Sequence, residues 1–291
     1  MSNPQSKRKR LRAALAAREL IVAPGAYDAI TARLIEQAGF SAVYMTGAGA
    51  SAARGFPDYG LLTLGEMAES AEAIAQSIDA PLISDADTGY GNVLNVTRTV
   101  REFERRGVAA IHIEDQVSPK RCGHLDDKEV VSREEFAAKM RAAVAARSDP
   151  DFVIIARTDA GAAMGPDEAV IRANLALEAG ADMAFVEAVQ TLEQMAAVPR
   201  AVNGPCLLNL VAGGKTPAVS IPDAGAMGYQ AIILPGVLIF EVVDALDRIL
   251  GVLKATGAPP TPSASIRTLF QRFGAEDWDA VRREFDTVAG S

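Results

Sequence analysis

The run Ile111-His112-Ile113-Glu114-Asp115-Gln116, followed closely by Lys120-Arg121-Cys122-Gly123-His124, concentrates more reactive side chains than any other part of the chain. An apolar run that ends in two carboxylates has the form of a buried strand delivering acids to a pocket. The segment after it sets one thiol among two cations and a histidine, with a glycine for mobility. Such surroundings lower a thiol's pKa and let it exchange protons near neutrality. A metal-binding carboxylate beside a proton-donating cysteine points to chemistry on an enolate.

Other apolar runs also end in a single polar group, at Asp85, Arg157, Glu187 and Asn209. Side chains two apart on a strand point the same way, so Asp85 and Asp87 are expected to share a face, as are His112 and Glu114. Asp85, Asp87 and Glu114 together offer an oxygen-rich site suited to Mg²⁺ or Mn²⁺, with water completing the octahedron. No His/Cys cluster has zinc spacing. The competing reading of any one of these acids is a helix cap or a lysine partner. Arg157 needs an anion, either Glu187 or a substrate carboxylate held in a bidentate fork. His112 reads as a donor that orients a carboxylate rather than as a catalyst. Cys206, in an apolar run after Gly204-Pro205, reads as core. Gly213-Gly214-Lys215 lacks the Walker pattern and reads as a flexible loop able to close over a site.

These groups need elements to hold them. Short β-branched runs alternate with longer Ala-rich amphipathic stretches, the pattern of repeated βα units. Candidate strands are Leu20–Ala23, Ala42–Thr46, Leu82–Asp85, Ala109–Glu114, Val153–Arg157, Met183–Glu187, Cys206–Leu210 and Ala231–Leu234. Helices are expected at Asp28–Ala38, Leu64–Ser77, Val93–Arg106, Arg133–Arg147 and Asp167–Ala179, with Gly39, Gly107 and Gly180 as left-handed C-caps. This predicts an α/β fold, a (β/α)8 TIM-type barrel whose strand ends converge on one face. An open doubly wound sheet is disfavoured, because Gly47-Ala48-Gly49 lacks the third glycine of a dinucleotide fingerprint. Residues 1–291 read as a single barrel domain with a C-terminal helical arm from about 258 to 291. The arm follows Pro259-Pro260-Thr261-Pro262 and contains amphipathic segments at Ile266–Phe273 and Glu276–Val288. Its Leu269, Phe270, Phe273, Trp278, Val281 and Phe285 need a surface to cover.

Composition narrows the classes further. The chain of 291 residues is 49% hydrophobic, ample for a packed core, and its formal charge of −8 argues against nucleic acid and anionic membranes as partners. With only Cys122 and Cys206 there is no disulfide framework, which fits a reducing compartment and makes the cytoplasm the default location. Lys7-Arg8-Lys9-Arg10 is not followed by a signal-type apolar segment, so the basic start is expected to be solvated and frayed.

Taken together, Tyr44-Met45-Thr46-Gly47-Ala48, Phe56-Pro57-Asp58-Tyr59-Gly60, Asp85-Ala86-Asp87-Thr88-Gly89-Tyr90-Gly91-Asn92, Ile113-Glu114-Asp115-Gln116, Lys120-Arg121-Cys122-Gly123-His124 and Ala156-Arg157-Thr158-Asp159 resemble the isocitrate lyase/phosphoenolpyruvate mutase superfamily over nearly the whole chain. The resemblance implies essential Mg²⁺ at Asp85, Asp87 and Glu114, with Asp58 joined through water. It implies a pocket for the oxo-acid half of the substrate at Tyr44, Thr46, Gly47 and Ala48. Arg157, Glu187 and Asn209 complete the substrate wall, with Lys120 and Gly123 also against the substrate. Cys122 resembles the general acid of the lyase branch on a mobile gating loop, with His124 beside it in the catalytic set. Tyr44 or a metal-bound group is the candidate base. Thr46 stands where many members carry Ser, keeping the hydroxyl. The Lys-Arg-Cys-Gly-His motif favours the lyases over phosphonate-forming mutases, and Asn209-Leu210-Val211-Ala212-Gly213-Gly214-Lys215-Thr216-Pro217 looks closer to the dimethylmalate type than to methylisocitrate lyases. The implied substrate is a small 2-hydroxydicarboxylate (2,3-dimethylmalate or another alkylmalate, or 2-methylisocitrate) cleaved between C2 and C3 by retro-aldol chemistry to a 2-oxo acid such as pyruvate and a carboxylate. An oxaloacetate hydrolase or decarboxylase is the nearest rival, and a non-enzymatic binding protein the remotest. Helices swapped between paired subunits, in a homotetramer, are the implied assembly.

Overall fold

The structure, a computed structural model, describes residues 3–123 and 128–286. The elements run α1 (Pro4–Ala16), β1 (Ile21–Ala26), α2 (Ala29–Gln37), β2 (Val43–Met45), α3 (Gly47–Ala53), α4 (Leu64–Ser77), β3 (Leu82–Asp85), α5 (Val93–Arg105), β4 (Ala110–Glu114), α6 (Arg133–Ala146), β5 (Val153–Thr158), α7 (Ala160–Met164) and α8 (Pro166–Glu178). Then follow β6 (Met183–Val186), α9 (Leu192–Ala201), β7 (Cys206–Asn209), α10 (Ile221–Ala226), β8 (Ala231–Leu234), α11 (Ile239–Thr256), α12 (Ile266–Gln271) and α13 (Ala275–Phe285). Among the described residues the strands form one closed parallel barrel in chain order, with β8 pairing back onto β1. The expected barrel is therefore the observed one, and the open sheet is excluded.

Local chemistry explains the boundaries. Asp28 and Thr63 start α2 and α4 with capping boxes, and Asn92, Ser132 and Ser220 cap α5, α6 and α10. Gly39, Gly107 and Gly180 all have positive φ just past their helices, as anticipated. On the strands the period of two divides the core. Ile111, Ile113, Ile154 and Ala156 pack toward the helices, while Ala110, Val153, Ile155, Phe185 and Leu207 fill the barrel interior. His112, Glu114 and Arg157 lie on the interior side of that division, so burial drives the apolar neighbours outward and leaves these three among the strand ends.

The basic N-terminus corrects an expectation. Residues 4–16 are helical, and Lys7 and Arg8 are only 4% and 6% exposed. Lys7 Nζ donates to the carbonyls of Ala75 (2.7 Å) and Ile78, and Arg8 donates to Val108 O (3.0 Å) and Glu104 O. The Ala75, Ile78 and Val108 carbonyls lie at a helix end or a strand entry, where the cations complete their hydrogen bonding, and Glu104 O, which also accepts from Gly107 N–H at the end of α5, gains a further donor. Leu11 and Leu15 of the same helix join the interior core.

The chain divides into two compact units, 1–240 and 241–291. The second holds most of α11 together with α12 and α13, none of which has a buried residue. Val243, Leu246 and Leu250 of α11 are exposed, as are Leu269, Phe270, Trp278, Val281 and Phe285, whereas Phe273 is half-buried. No helix among the described residues is long and apolar enough to cross a membrane.

Candidate active site

The carboxyl ends of β2 to β7 bring the expected residues together. Asp85 ends β3, Glu114 ends β4, Arg157 sits on β5, Glu187 follows β6 and Asn209 ends β7. Strand register makes Glu114 the lateral neighbour of Arg157, and Asp85 that of His112. Asp87 arrives differently from the alternation expected of it. Its φ is +46°, beyond the end of β3, and its N–H donates to Asp85 Oδ1 at 2.9 Å. Tyr90 and Ala188 are likewise in the left-handed region, so strained backbone gathers on this face.

Lys120 occupies the centre of the acids. Its Nζ lies 2.5 Å from Asp58 Oδ1 and 2.9 Å from Asp87 Oδ1, with the side chain 3% exposed. Burial works against its charge, but Asp87, Asp85 and Asp58 overcome it and hold the ammonium well above the ordinary lysine range. Burial chiefly pushes the Asp87 carboxyl up to about 6, with the Asp85 charge adding and Lys120 opposing. Asp85 stays below the usual range because His112, Lys120 and Arg157 together outweigh its burial. Burial drives Glu114 well above the usual range in spite of Arg157. Burial is thus the largest influence on all three acids, with Lys120 and Arg157 opposing it at Asp85 and Glu114 and Lys120 opposing it at Asp87.

Among the described residues no three His, Cys, Asp or Glu side chains converge closely enough to hold a metal as they stand. The donor set nonetheless fits a hard divalent cation. It is all oxygen, and Glu114 Oε1 is buried without a hydrogen-bond partner among the described residues. Gly47 forms one side of the cradle: a Cβ there would lie 2.4 Å from Asp85 Oδ2.

Arg157 is engaged more fully than the sequence reading anticipated. It pairs with Asp159 (Nε–Oδ2 2.9 Å), Glu114 (3.1 Å) and, more loosely, Glu187 (3.7 Å). Asn209 Nδ2 donates to Glu187 Oε2 at 3.2 Å. Tyr44 OH and His112 Nε2 are 2.8 Å apart, and His112 Nε2 is 3.7 Å from Asp85 Oδ1. His112 is fully buried, which lowers it to about 4 and keeps it neutral near pH 7. The Tyr44 phenol is pushed well above its ordinary value, first by burial and then by the Asp85 charge. Thr46 caps α3 through Gly49 N, while Ala48 is exposed on the first turn of that helix.

The cysteine segment is an excursion from β4 whose two stems are tied together. Val117 N–H donates to Glu129 O and Val131 N–H to Asp115 O, each at 2.8 Å. Gln116 clasps Arg121 twice, accepting from its N–H and donating to its carbonyl. Gly123 lies flush on the site, where a Cβ would meet Arg157 Nη2 at 2.4 Å and Glu187 Cγ at 2.7 Å. Cys122 is half-buried. Cys206 is buried, and burial pushes its thiol up to about 12, as a core cysteine requires. His124 lies outside the described residues.

Sequence reasoning missed the charges behind the wall. Asp115 accepts from Thr158 Oγ1 (2.7 Å), Asp159 N (2.8 Å) and Arg172 Nη1 (3.1 Å). Lys128 pairs with Asp159 at 2.8 Å. Asp115 and Asp159 stood inside the quoted motifs, whereas Lys128 and Arg172 carried no spacing signal.

The family model described as phosphoenolpyruvate phosphomutase matches residues 11–253. The 2,3-dimethylmalate lyase of Eubacterium barkeri is 47% identical over 246 residues, covering 84% of this chain and 85% of that one. A solved structure of oxaloacetate acetylhydrolase with 3,3-difluorooxalacetate superposes with a TM-score of 0.94 at 40% identity, covering 97% of this chain and 98% of the other. A phosphonopyruvate hydrolase structure with oxalate and Mg²⁺ gives 0.87 at 33% identity, covering 96% and 99%.

Proposed function

Because the chain belongs to the phosphoenolpyruvate phosphomutase family, we propose that it is a carbon–carbon lyase that cleaves C2–C3 of a 2-hydroxydicarboxylate, 2,3-dimethylmalate or another alkylmalate. The products are a 2-oxo acid such as pyruvate and a carboxylate. The observation that carries this reading is the seating of the Cys122 segment, whose next residue lies directly against Arg157 and Glu187 at the strand ends. A thiol held there can protonate a carbanion, which a phosphoryl migration does not form.

Asp85, Asp87 and Glu114 would hold Mg²⁺ (or Mn²⁺), with Asp58 behind them. A bound divalent ion supplies Lewis acidity to the 2-hydroxyl and carboxylate oxygens. Arg157, Glu187 and Asn209 form a pre-connected wall for the substrate, and Thr46, Gly47 and Ala48 border the oxo-acid half. Lys120 brings positive charge to the same pocket. The 2-hydroxyl gives up its proton to an ionised carboxylate of the acid cluster, C2 becomes the oxo carbon, the C2–C3 electron pair passes to C3, and Cys122 delivers a proton there. Tyr44, kept protonated by burial, serves as a hydrogen-bond donor in this scheme rather than as the base.

The exposed apolar faces of α11 to α13 support burial against a second copy, in helix-swapped dimers paired as a tetramer. Two cysteines, neither of them in a disulfide, fit a reducing compartment such as the cytoplasm.

The test is a panel of 2,3-dimethylmalate, other alkylmalates, 2-methylisocitrate, oxaloacetate and phosphonopyruvate with Mg²⁺, with and without excess chelator. Oxo-acid release from an alkylmalate, abolished by chelator, is the expected result. The likeness to oxaloacetate acetylhydrolase favours one second reading, hydrolysis of oxaloacetate. Turnover of oxaloacetate alone, yielding oxalate, would replace the lyase by that activity.

A further inference from the structure

Lys128 takes no part in the scheme above, yet it is one of the most deeply placed cations in the barrel. Its side chain is 1% exposed and the Asp159 side chain it pairs with is 0% exposed. Among the described residues the ammonium contacts Asp159 Oδ1 at 2.8 Å and the carbonyl oxygen of Gly123 at 2.5 Å. Asp159 in turn receives Arg157 Nε at 2.9 Å and Nη2 at 3.2 Å, and its own N–H is pinned to Asp115 Oδ1 at 2.8 Å. Asp159 is therefore a fixed post, held from behind by Asp115 and shared in front by one cation of the substrate wall and one cation of the cysteine segment.

We propose that Lys128 is the positioning residue for Cys122. It ties the Gly123 carbonyl to the carboxylate that orients Arg157, so the thiol and the substrate-binding guanidinium share one reference point. The packing of Gly123 agrees with this: with no side chain its Cα can lie against Arg157 Nη2 and Glu187 only if the peptide is drawn down, and Lys128 supplies the pull on that peptide's oxygen. Gln116 fixes the segment on the other side of Cys122 through Arg121. The thiol thus sits between two clamps, and the Lys128 clamp is the one that reports on the substrate wall. The assignment rests on the reading that Cys122 donates the proton.

The test compares Lys128→Met, which keeps the stem and removes both contacts, with Lys128→Arg, which keeps the charge and the donors. Two readouts are taken on the full-length protein: steady-state lyase kinetics, and the rate at which iodoacetamide alkylates Cys122, followed by mass spectrometry with Cys206 as internal reference. A displacement of about 1 Å in a reacting group costs on the order of 10²-fold. Lys128→Met is therefore expected to lower kcat by roughly 10–100-fold with KM changed less than about threefold. It should also raise the Cys122 alkylation rate several-fold, and Lys128→Arg should recover much of both. A lower melting temperature with kcat and thiol reactivity both unchanged would make Lys128 a structural pair only and overturn the proposal. Should the Met variant not fold, Lys128→Gln stays polar but is too short to span the Gly123 carbonyl and Asp159 together, so it breaks the tie; wild-type values in both assays for that variant overturn the proposal equally. If no alkylmalate is turned over by the wild type, the lyase reading fails while the alkylation comparison still decides the role of Lys128.

Discussion

Replacing Gly47 by alanine tests whether the acid cluster has the geometry described. The added Cβ would sit 2.4 Å from Asp85 Oδ2 and 2.9 Å from Asp85 Cγ, whereas ordinary contact begins near 3.4 Å. The carboxylate must therefore retreat by about 1 Å, and it cannot do so freely, because Oδ1 accepts from Asp87 N–H and faces His112. A displacement of that size costs on the order of 10²-fold in rate, equivalent to roughly 2.7 kcal/mol of barrier. Overpacking a buried position adds about 1–3 kcal/mol of destabilisation, a fall of roughly 2–5 °C in melting temperature for a chain of this size. The control is Gly65→Ala on the first turn of α4, where the nearest neighbour of a new Cβ is 3.9 Å away. That variant should keep full activity and gain slightly in stability. The assay is pyruvate release from 2,3-dimethylmalate at saturating Mg²⁺, with thermal melts of both variants. A Gly47→Ala enzyme within threefold of wild-type kcat/KM would show that Asp85 does not need its position, and the cluster would lose its assigned role.

Three further outcomes are expected. Cys122→Ala should lower kcat by roughly 10²–10⁴-fold, the usual contribution of a general acid, with little change in KM; wild-type turnover would remove Cys122 from the chemistry. His112, lowered to about 4 by burial, takes up a proton more readily in the unfolded chain. Its contribution to stability is thus full above about pH 6.5 and is lost as pH falls toward about 4, by up to about 3 kcal/mol. In chelator, the stability difference between wild type and His112→Gln should shrink over that window, and a pH-independent difference would refute the buried neutral imidazole. Truncation after Gly257 removes α12 and α13 with their exposed Leu269, Phe270 and Trp278, and should give smaller or aggregating species by light scattering. A full-length monomer in solution would contradict the proposed assembly.

Much of the barrel was legible because each strand is a short apolar run and each helix ends in a glycine or a capping side chain. Leu82–Asp85 and Leu64–Ser77 match the observed elements residue for residue. Helix α1 was not legible, since Lys7 and Arg8 look like solvent-facing charge and reveal their burial only through carbonyls 68 to 100 residues away. The same limit hid Lys128 and Arg172, whose partners Asp159 and Asp115 are 31 and 57 residues distant. Asp85, Glu114 and Arg157 were readable from their place at the ends of apolar runs. The left-handed turn that delivers Asp87 was not, because strand alternation says nothing about backbone beyond the strand. Nor did spacing reveal that Lys120 would lie among the acids.

The seating of α1 has a consequence for the order in which the protein can be made. Helix α1 is made before the barrel it packs against, yet its contacts are spread along the chain: Lys7 waits for Ala75 and Ile78, Arg8 for Asp149, and Arg12 for Asp182. The strand behind it waits longer still, because Ile21 pairs with Ala231 to close the barrel. Helix α1 and β1 are therefore made before most of the barrel and can settle only after it, because their partners lie so far along the chain.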